Sequence, residues 1–342
     1  MLKTYHKLIN NDSRKISQLE TESIDLVITS PPYPMIEMWD KVFETMNPGL
    51  NKNIIEKNDT NAFELMHKEL DHVWCEIVRA LKPGGIACIN IGDATRSIDS
   101  NFQLFPNHSR IIQALVAMGI HNLTNIIWRK PTNAPSKFMG SGMLPAGAYV
   151  TLEHEYILIF RKGNKRKFKS AESKIFRAKS AFFWEERNKW FSDIWELKGA
   201  TQKLKGQNRK RSAAFPVELP YRLIQMYSLV GDTIFDPFNG TGTTTLSSII
   251  SGRNSVGSEV DQRLIDSFKV NLKSTTIDQL QKIPLERLND HRKFVDSKSH
   301  DFFIHKNEHY QFPVKTKQET SIIIPLISKL QIGENKIGAT YN

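Results

Sequence analysis

"DTIFDPFNGTGTTT", residues 232–245, runs an apolar stretch into two closely spaced glycines and a row of threonines. The apolar part reads as a strand, and a helix should begin within "TGTTTLSSIISG" (241–252). Gly240 and Gly242 at such a junction let the backbone approach a ligand closely. The helix N-terminus beyond them offers free N–H groups. A tight strand–helix turn without a ligand would use the same glycines. The next strand, "NSVGSEV" (254–260), ends at Glu259, 19 residues after Gly240. In a strand–helix–strand unit that places a carboxylate where ribose hydroxyls would be gripped, which favours a nucleoside cofactor. The stretch lacks the GK[ST] ending of a phosphate cradle, which disfavours nucleotide hydrolysis.

Outward from this unit, strand and helix patterns alternate, as expected of an α/β fold with a largely parallel sheet. "SIDLVITS" (23–30) reads as a buried strand, and 62–81 carries apolar residues at helical spacing. "KPGG" (82–85) reads as a turn before the strand "IACINIG" (86–92). A helix over 108–119, extended chain over 122–128 and a strand at "EYILIF" (155–160) follow. "VELPYRLIQMYSL" (217–229) reads as the helix leading into the glycine unit. Between them, 161–211 loses the rhythm and becomes basic and aromatic. Beyond about 276 the pattern weakens, leaving one apolar run, "SIIIPLI" (321–327).

The strand at 23–30 ends in "SPPY" (30–33). Each proline fixes its own φ and holds the preceding residue extended. Ser30 Oγ and the Pro31 carbonyl are therefore presented at the strand end with little freedom, as paired hydrogen-bond acceptors. Tyr33 adds an aromatic face. Such a set suits a planar ring bearing an exocyclic amine, although a proline-terminated strand with a core tyrosine has the same letters.

The 342 residues carry 47 Lys+Arg against 36 Asp+Glu, a formal net charge of +11. Two basic runs, "RKGNKRKFK" (161–169) and "KLKGQNRKR" (203–211), bracket a cluster of aromatic residues. That distribution suggests nucleic acid as the partner. The candidate phosphate contacts are Arg161, Lys162, Lys165, Arg166, Lys167, Lys203, Lys205, Arg209 and Lys210. No apolar run is long enough to span a bilayer, and the first residues lack a secretory core. The two cysteines, Cys75 and Cys88, fit neither a zinc site nor a disulfide framework. A reducing cytoplasm with both thiols buried is the expectation, with no metal and no membrane.

"TSPPY" (29–33) together with "DPFNGTGTT" (236–244) resembles the amino-methylating DNA methyltransferases that use S-adenosyl-L-methionine. In that family the first motif is catalytic, which implies roles for Ser30, Pro31, Pro32 and Tyr33. The second binds the methionine part of the cofactor, which implicates Asp236, Pro237, Phe238, Gly240, Gly242 and Thr243. "LINNDSRKIS" before "SIDLVITSPPY" resembles the family's N-terminal arrangement and makes Asp12 the carboxylate near the cofactor adenine. "RALKPGGIACINIGD" and "HEYILIFRKG" resemble its intermediate strands. "RSAAFPVELPYRLI" (211–224) resembles the segment that closes over the methionine end, implicating Ala213, Phe215 and Pro216. Arg211 stands where most relatives have histidine. Glu259 matches the ribose-binding acid.

The resemblance implies a Rossmann-like sheet, mostly parallel with one antiparallel strand. With the catalytic motif before the glycine motif, it resembles the circularly permuted beta group. The implied organisation is a catalytic half at 1–160, a target-recognition region at 161–211 with the loop 133–150, a cofactor half at 212–275 and a C-terminal extension at 276–342. Serine in the first catalytic position resembles the cytosine-N4 branch, acting on a base flipped from double-stranded DNA against Tyr33, beside a partner restriction endonuclease. Adenine-N6 methylation on the same scaffold is the near alternative. Protein amide methylation has the opposite motif order, and a non-catalytic DNA-binding module would not need these residues intact.

Overall fold

The computed structural model describes residues 1–50, 59–98, 101–130, 139–199, 215–334 and 336–342. Eleven strands form one sheet: β1 Leu2–Asn10, β2 Ile24–Thr29, β3 Leu81–Ile91, β4 Ile120–Asn122, β5 Ile126–Arg129, β6 His154–Lys162, β7 Ile194–Glu196, β8 Thr233–Asp236, β9 Asn254–Glu259, β10 Ile327–Ile332 and β11 Lys336–Tyr341. Their order is β7-β5-β6-β3-β2-β8-β9-β1-β11-β10, with β4 also paired to β6. The five central strands, β3 to β1, are mutually parallel. β6 and β11 oppose their neighbours. The mostly parallel α/β reading holds, with two reversed strands where one was expected. The second belongs to the C-terminal residues, whose short lysine-bearing strands gave no clear alternation.

Every residue of β2 is buried, as in parallel strands covered on both faces. Its alternate side chains divide between two cores. Val27, with Ala87 and Ile89, meets Phe63, Met66, Leu70, Val73, Trp74 and Ile77 of the helix Asp59–Ala80. Leu26 and Ile28 meet Leu219, Leu223 and Ile224 of the helix Glu218–Tyr227. The expected turn at 82–85 lies inside β3 instead. Gly84, at φ +83°, absorbs an irregularity there, because a Cβ would stand 2.7 Å from the Arg166 backbone nitrogen. Cys88 is buried, but Cys75 is exposed, correcting the expectation for that thiol.

The C-terminal residues build a 20-residue helix, Ile277–Asp296, and then lay β11 against β1 and β10 against β11. "SIIIPLI" is mostly not a strand. Its Ile322 and Ile324 pack with Phe183, Leu288 and Val314. The long helix is anchored by a buried fork: Arg287 Nε and Nη2 donate to the two Glu186 carboxylate oxygens at 2.6 and 2.8 Å. Glu186 also accepts from Phe183 N–H at 2.9 Å, so the pair joins the 184–190 helix to the C-terminal one. Arg287→Met should leave that carboxylate buried and uncompensated, and should lower unfolding free energy by about 3–5 kcal/mol. Urea denaturation checks this; an unchanged midpoint would contradict the anchoring role.

Candidate active site

β2 and β8 are parallel neighbours, with Leu26 opposite Ile234 and Val27 opposite Phe235. Thr29 Oγ1 donates to Asp236 Oδ1 at 2.7 Å, tying the last residues of the two strands. Ser30–Tyr33 and Pro237–Gly242 therefore leave the sheet side by side, at the carboxyl end where open α/β sheets bind ligands. Asp236 is fully enclosed. Burial pushes its carboxyl up to about 6, against the hydrogen bonds it accepts from Thr29 and the Phe238 N–H.

The glycine turn is built by its neighbours. Gly242 caps the helix Thr243–Ser251 at φ +81°, and a Cβ there would fall 2.3 Å from the Phe268 ring. Glycine is thus demanded by packing as well as by backbone conformation. Gly240, at φ +50°, is crowded only by the Phe238 carbonyl, 3.8 Å from where a Cβ would stand, and donates its N–H to Glu259 Oε2 at 2.8 Å. Asp12 follows β1, whose Asn10 pairs with Glu259 at the neighbouring strand end. Although partial burial opposes it, the Arg14 guanidinium, 2.7 Å away, holds the Asp12 carboxyl below its usual range. Ser13 Oγ donates to the Pro237 carbonyl at 2.5 Å, fixing the Asp12 segment against the glycine turn.

Two carboxylates at adjacent strand ends and a glycine turn half-buried at Gly240 and Thr241 fit a nucleoside bearing ribose hydroxyls. Phe215 is buried against the β2 face and Pro216 is half-buried beside it. Ala213 and Arg211 lie outside the described residues, as do Lys203, Lys205, Arg209 and Lys210.

At the catalytic motif the structure adds residues the sequence reading missed. Ser30 Oγ donates to Tyr33 Oη at 3.1 Å, and Tyr33 Oη donates to Glu155 Oε2 at 2.9 Å. Asn90 Nδ2 donates to Tyr33 Oη and Glu155 Oε2, at 2.8 and 2.7 Å, and more distantly to Ser30 Oγ at 3.5 Å. Lys130 Nζ closes the network on Glu155 Oε1. Burial, then the nearby Glu155 charge, raises the Tyr33 phenol far above its ordinary range, so it stays protonated. Among the described residues no group donates to the Pro31 carbonyl. Asn107 Nδ2 bridges the Pro34 and Gly92 carbonyls at 3.1 and 3.0 Å, holding the motif against β3. Tyr33 is only 8% exposed, its ring so close to Gly92 that a Cβ there would stand 3.1 Å from Cε2. It is a fixed wall, not a free plate. That wall belongs to a cavity of about 200 Å³ shared with Ile36, Asp93, Lys130, His154 and Glu155. The signal for Asn90 and Glu155 was present as polar letters breaking the apolar strands "IACINIG" and "EYILIF".

The first basic run does not join this site. β6 runs antiparallel to β3, with Tyr156 opposite Ile91 near the site and Arg161 opposite Ile86 at the far end. Five residues of strand separate the two levels, about 16 Å. There Lys162 Nζ donates to the Leu81 carbonyl at 2.8 Å, and Arg166 pairs with Asp232 at 2.6 Å. Arg161 Nε donates to the Gly163 carbonyl at 2.9 Å, and Lys165 and Lys167 are exposed at that same end. A larger cavity of about 690 Å³, lined by Lys82, Arg166 and Phe168, also lies there, away from the SPPY motif.

A family model described as DNA methylase matches residues 24–270, spanning both motifs and the strands that carry them. The chain belongs to the DNA methylase family. This methyltransferase is 48% identical over 324 residues to the Type II methyltransferase M.MthZI of Methanothermobacter thermautotrophicus, covering 94% of this chain and 90% of that protein. It is 50% identical over 287 residues to M.MjaI of Methanocaldococcus jannaschii, covering 80% and 94% respectively. Among solved structures it resembles the Thermus thermophilus protein TTHA0409 complexed with S-adenosyl-L-methionine, at 31% identity and a TM-score of 0.60, over 78% of this chain and 94% of that one. The PvuII DNA methyltransferase (cytosine-N4-specific) shares the fold at 17% identity and a TM-score of 0.51, over 84% and 93%. The enzyme is a DNA methyltransferase of restriction-modification type that uses S-adenosyl-L-methionine.

The elevated Asp236 carboxyl has a measurable consequence. An aspartate ordinarily loses its proton near 3.8, so between pH about 4 and 6 the unfolded chain deprotonates first. The stability contributed by protonated Asp236 is full below that window and is lost as pH rises through it, by up to about 3 kcal/mol. Asp236→Asn keeps an acceptor for Thr29 and should flatten this decline. Urea unfolding at pH 4 to 7 checks it; parallel profiles for both proteins would refute the assignment.

Proposed function

We propose that this methyltransferase transfers a methyl group to the exocyclic N4 amine of a cytosine flipped out of double-stranded DNA, as the protective partner of a restriction endonuclease. The observation that carries the reading is the direction of the hydrogen bonds at Ser30. Its one proton is committed to Tyr33 and Asn90 Nδ2 approaches it only at 3.5 Å, so Oγ keeps a lone pair to accept from an amine. The Pro31 carbonyl offers a second acceptor on a proline-stiffened backbone. Two acceptors match the two N–H groups of an exocyclic amine and orient its nitrogen lone pair toward the cofactor side.

The amine is a weak nucleophile because its lone pair is delocalised into the ring. Hydrogen bonds to Ser30 and Pro31 favour a more tetrahedral nitrogen, and orientation contributes most of the rate. Asp12 and Glu259 would hold the nucleoside part of S-adenosyl-L-methionine, with Asp236–Phe238, Gly240, Gly242 and Thr243 around its methionine part. Bound there, S-adenosyl-L-methionine supplies an electrophilic sulfonium methyl. Ser30, neutral at working pH, positions the amine and is no strong base. Glu155, balanced by Lys130, holds Tyr33 and through it Ser30. The cavity beside Tyr33 has room for one flipped base, whose extrusion costs a few kcal/mol.

Serine at the head of the motif is what favours cytosine N4 over adenine N6. The same reading gives 1–160 and 212–275 to the two halves of the catalytic unit and places target recognition between them at 161–211, where Lys162 and Arg166 of the leading run are tied into the fold.

Ser30→Ala should lower kcat by about a hundredfold or more, the scale of losing one preorganised hydrogen-bonding partner. S-adenosyl-L-methionine affinity by calorimetry should stay within a few-fold of the parent. Tyr33→Phe keeps the packing and should lower kcat by a smaller factor, and full activity in both variants would rule out the acceptor mechanism. Nucleoside mass spectrometry of DNA from a methylation-deficient expression host should return N4-methylcytosine. N6-methyladenine would overturn the cytosine assignment.

A further inference from the structure

The strands Met139–Gly140 and Ala148–Tyr149 pair as a hairpin whose loop is held by Ser141 N–H on the Gly147 carbonyl at 2.9 Å. Leu144 N–H donates to the Ser141 carbonyl at 3.3 Å, and Ser141 Oγ donates to the Leu144 carbonyl. This ordered turn points its large apolar residues outward: Met143 is 86% exposed and Leu144 69%. Val150, just past the second strand, is 88% exposed. Scattered apolar residues on a surface need no explanation, but Met143 and Leu144 are adjacent in the one turn and belong to none of the chain's apolar clusters.

The hairpin is anchored and well placed. Tyr149 stacks on Phe102 at 4.4 Å between ring centroids. Phe102 belongs to a second hairpin, Ala94–Ile98 with Asn101–Phe105, which leaves the end of β3 just past Asn90 and Gly92. From Tyr149 the chain runs directly to Leu152, Glu153, His154 and Glu155, which line the 200 Å³ cavity beside Tyr33. The exposed tip thus stands on the segment that walls the cavity assigned to the flipped base.

A base turned out of a duplex leaves a gap in the stack, and apolar side chains inserted between base steps offset the lost stacking. An unbranched thioether adapts to such an irregular gap, and a leucine fills it. We propose that Met143 and Leu144 form a wedge that enters the base stack of double-stranded DNA and occupies the space vacated by the target base. The inference rests on the base-flipping reading above and names the residues that stabilise the flipped state.

The test uses the full-length enzyme and a duplex bearing the recognition sequence mapped by genome-wide modification sequencing. With 2-aminopurine at the target position, the parent enzyme and S-adenosylhomocysteine should raise the fluorescence, and Met143→Ala/Leu144→Ala should lose at least half of that rise. The double variant should lower kcat/KM on the paired duplex at least tenfold. With the target opposite an abasic site, where extrusion is easier, the loss should be much smaller, so the ratio of the two rates rises about tenfold. The exchange Met143→Leu/Leu144→Met should retain parental behaviour. Equal losses on both duplexes, or no loss on either, would overturn the wedge. If the modified nucleoside proves to be N6-methyladenine, the cytosine assignment falls while the wedge is still judged by this ratio.

Discussion

The hydrogen bond from Thr29 to Asp236 is the point on which the active site depends. It joins the ends of two strands that lie more than two hundred residues apart in sequence but side by side in the sheet. Strand pairing alone stops at Val27 opposite Phe235, so this side-chain bond carries the register into the loops. A buried carboxylate that lost its donor would cost about 1–3 kcal/mol and would let the two motifs drift apart. The proline pair begins at the next residue but one, and the glycine turn within four residues of the aspartate. Catalytic acceptors and cofactor turn are thereby positioned from one fixed point.

From that point the site becomes a question of proton direction. A serine hydroxyl can donate or accept, and the sequence does not say which. Here Tyr33 accepts its proton, Glu155 accepts that of Tyr33, and Asn90 and Lys130 hold the carboxylate. Linked hydrogen bonds polarise one another, so the charge on Glu155 reinforces the acceptor character of Ser30 two bonds away. The network also explains why Tyr33 is buried: its hydroxyl meets the carboxylate beside Asn90 of β3, the strand between β2 and β6.

Much of this fold was legible because its central strands and helices obey simple periods. β2, β3, β6, β8 and β9 stand where apolar runs placed them, and both motif loops fall at their carboxyl ends. What was not legible has physical causes. The register that sets Glu155 beside Tyr33 arises from an antiparallel pairing across 65 residues of chain. The helix 277–296 carries Pro284 and a weakly apolar face, and the buried Arg287–Glu186 fork that ties it down is a contact spanning 101 residues. β10 and β11 take their order from an exposed edge of β1, a tertiary opportunity that local composition does not announce.

Net charge was the least transferable signal. The run 161–169 looked like a phosphate grip, yet at the far end of the sheet Lys162 binds the Leu81 carbonyl and Glu22, and Arg166 is the counter-charge of the buried Asp232. Arg166 meets Asp232 and Asp25, at 2.6 and 3.5 Å, and Lys82 reaches Asp25 at 2.7 Å. Positive charge spent this way cannot also neutralise phosphates beside Ser30. On the described part of the catalytic end, the notable free surface is apolar, at the tip of the hairpin beside the base cavity. Steering toward DNA is a property of summed charge at long range, whereas opening a base pair is decided by the few side chains that touch the stack. The two tasks therefore fall on different residues, and a count of lysines and arginines sees only the first.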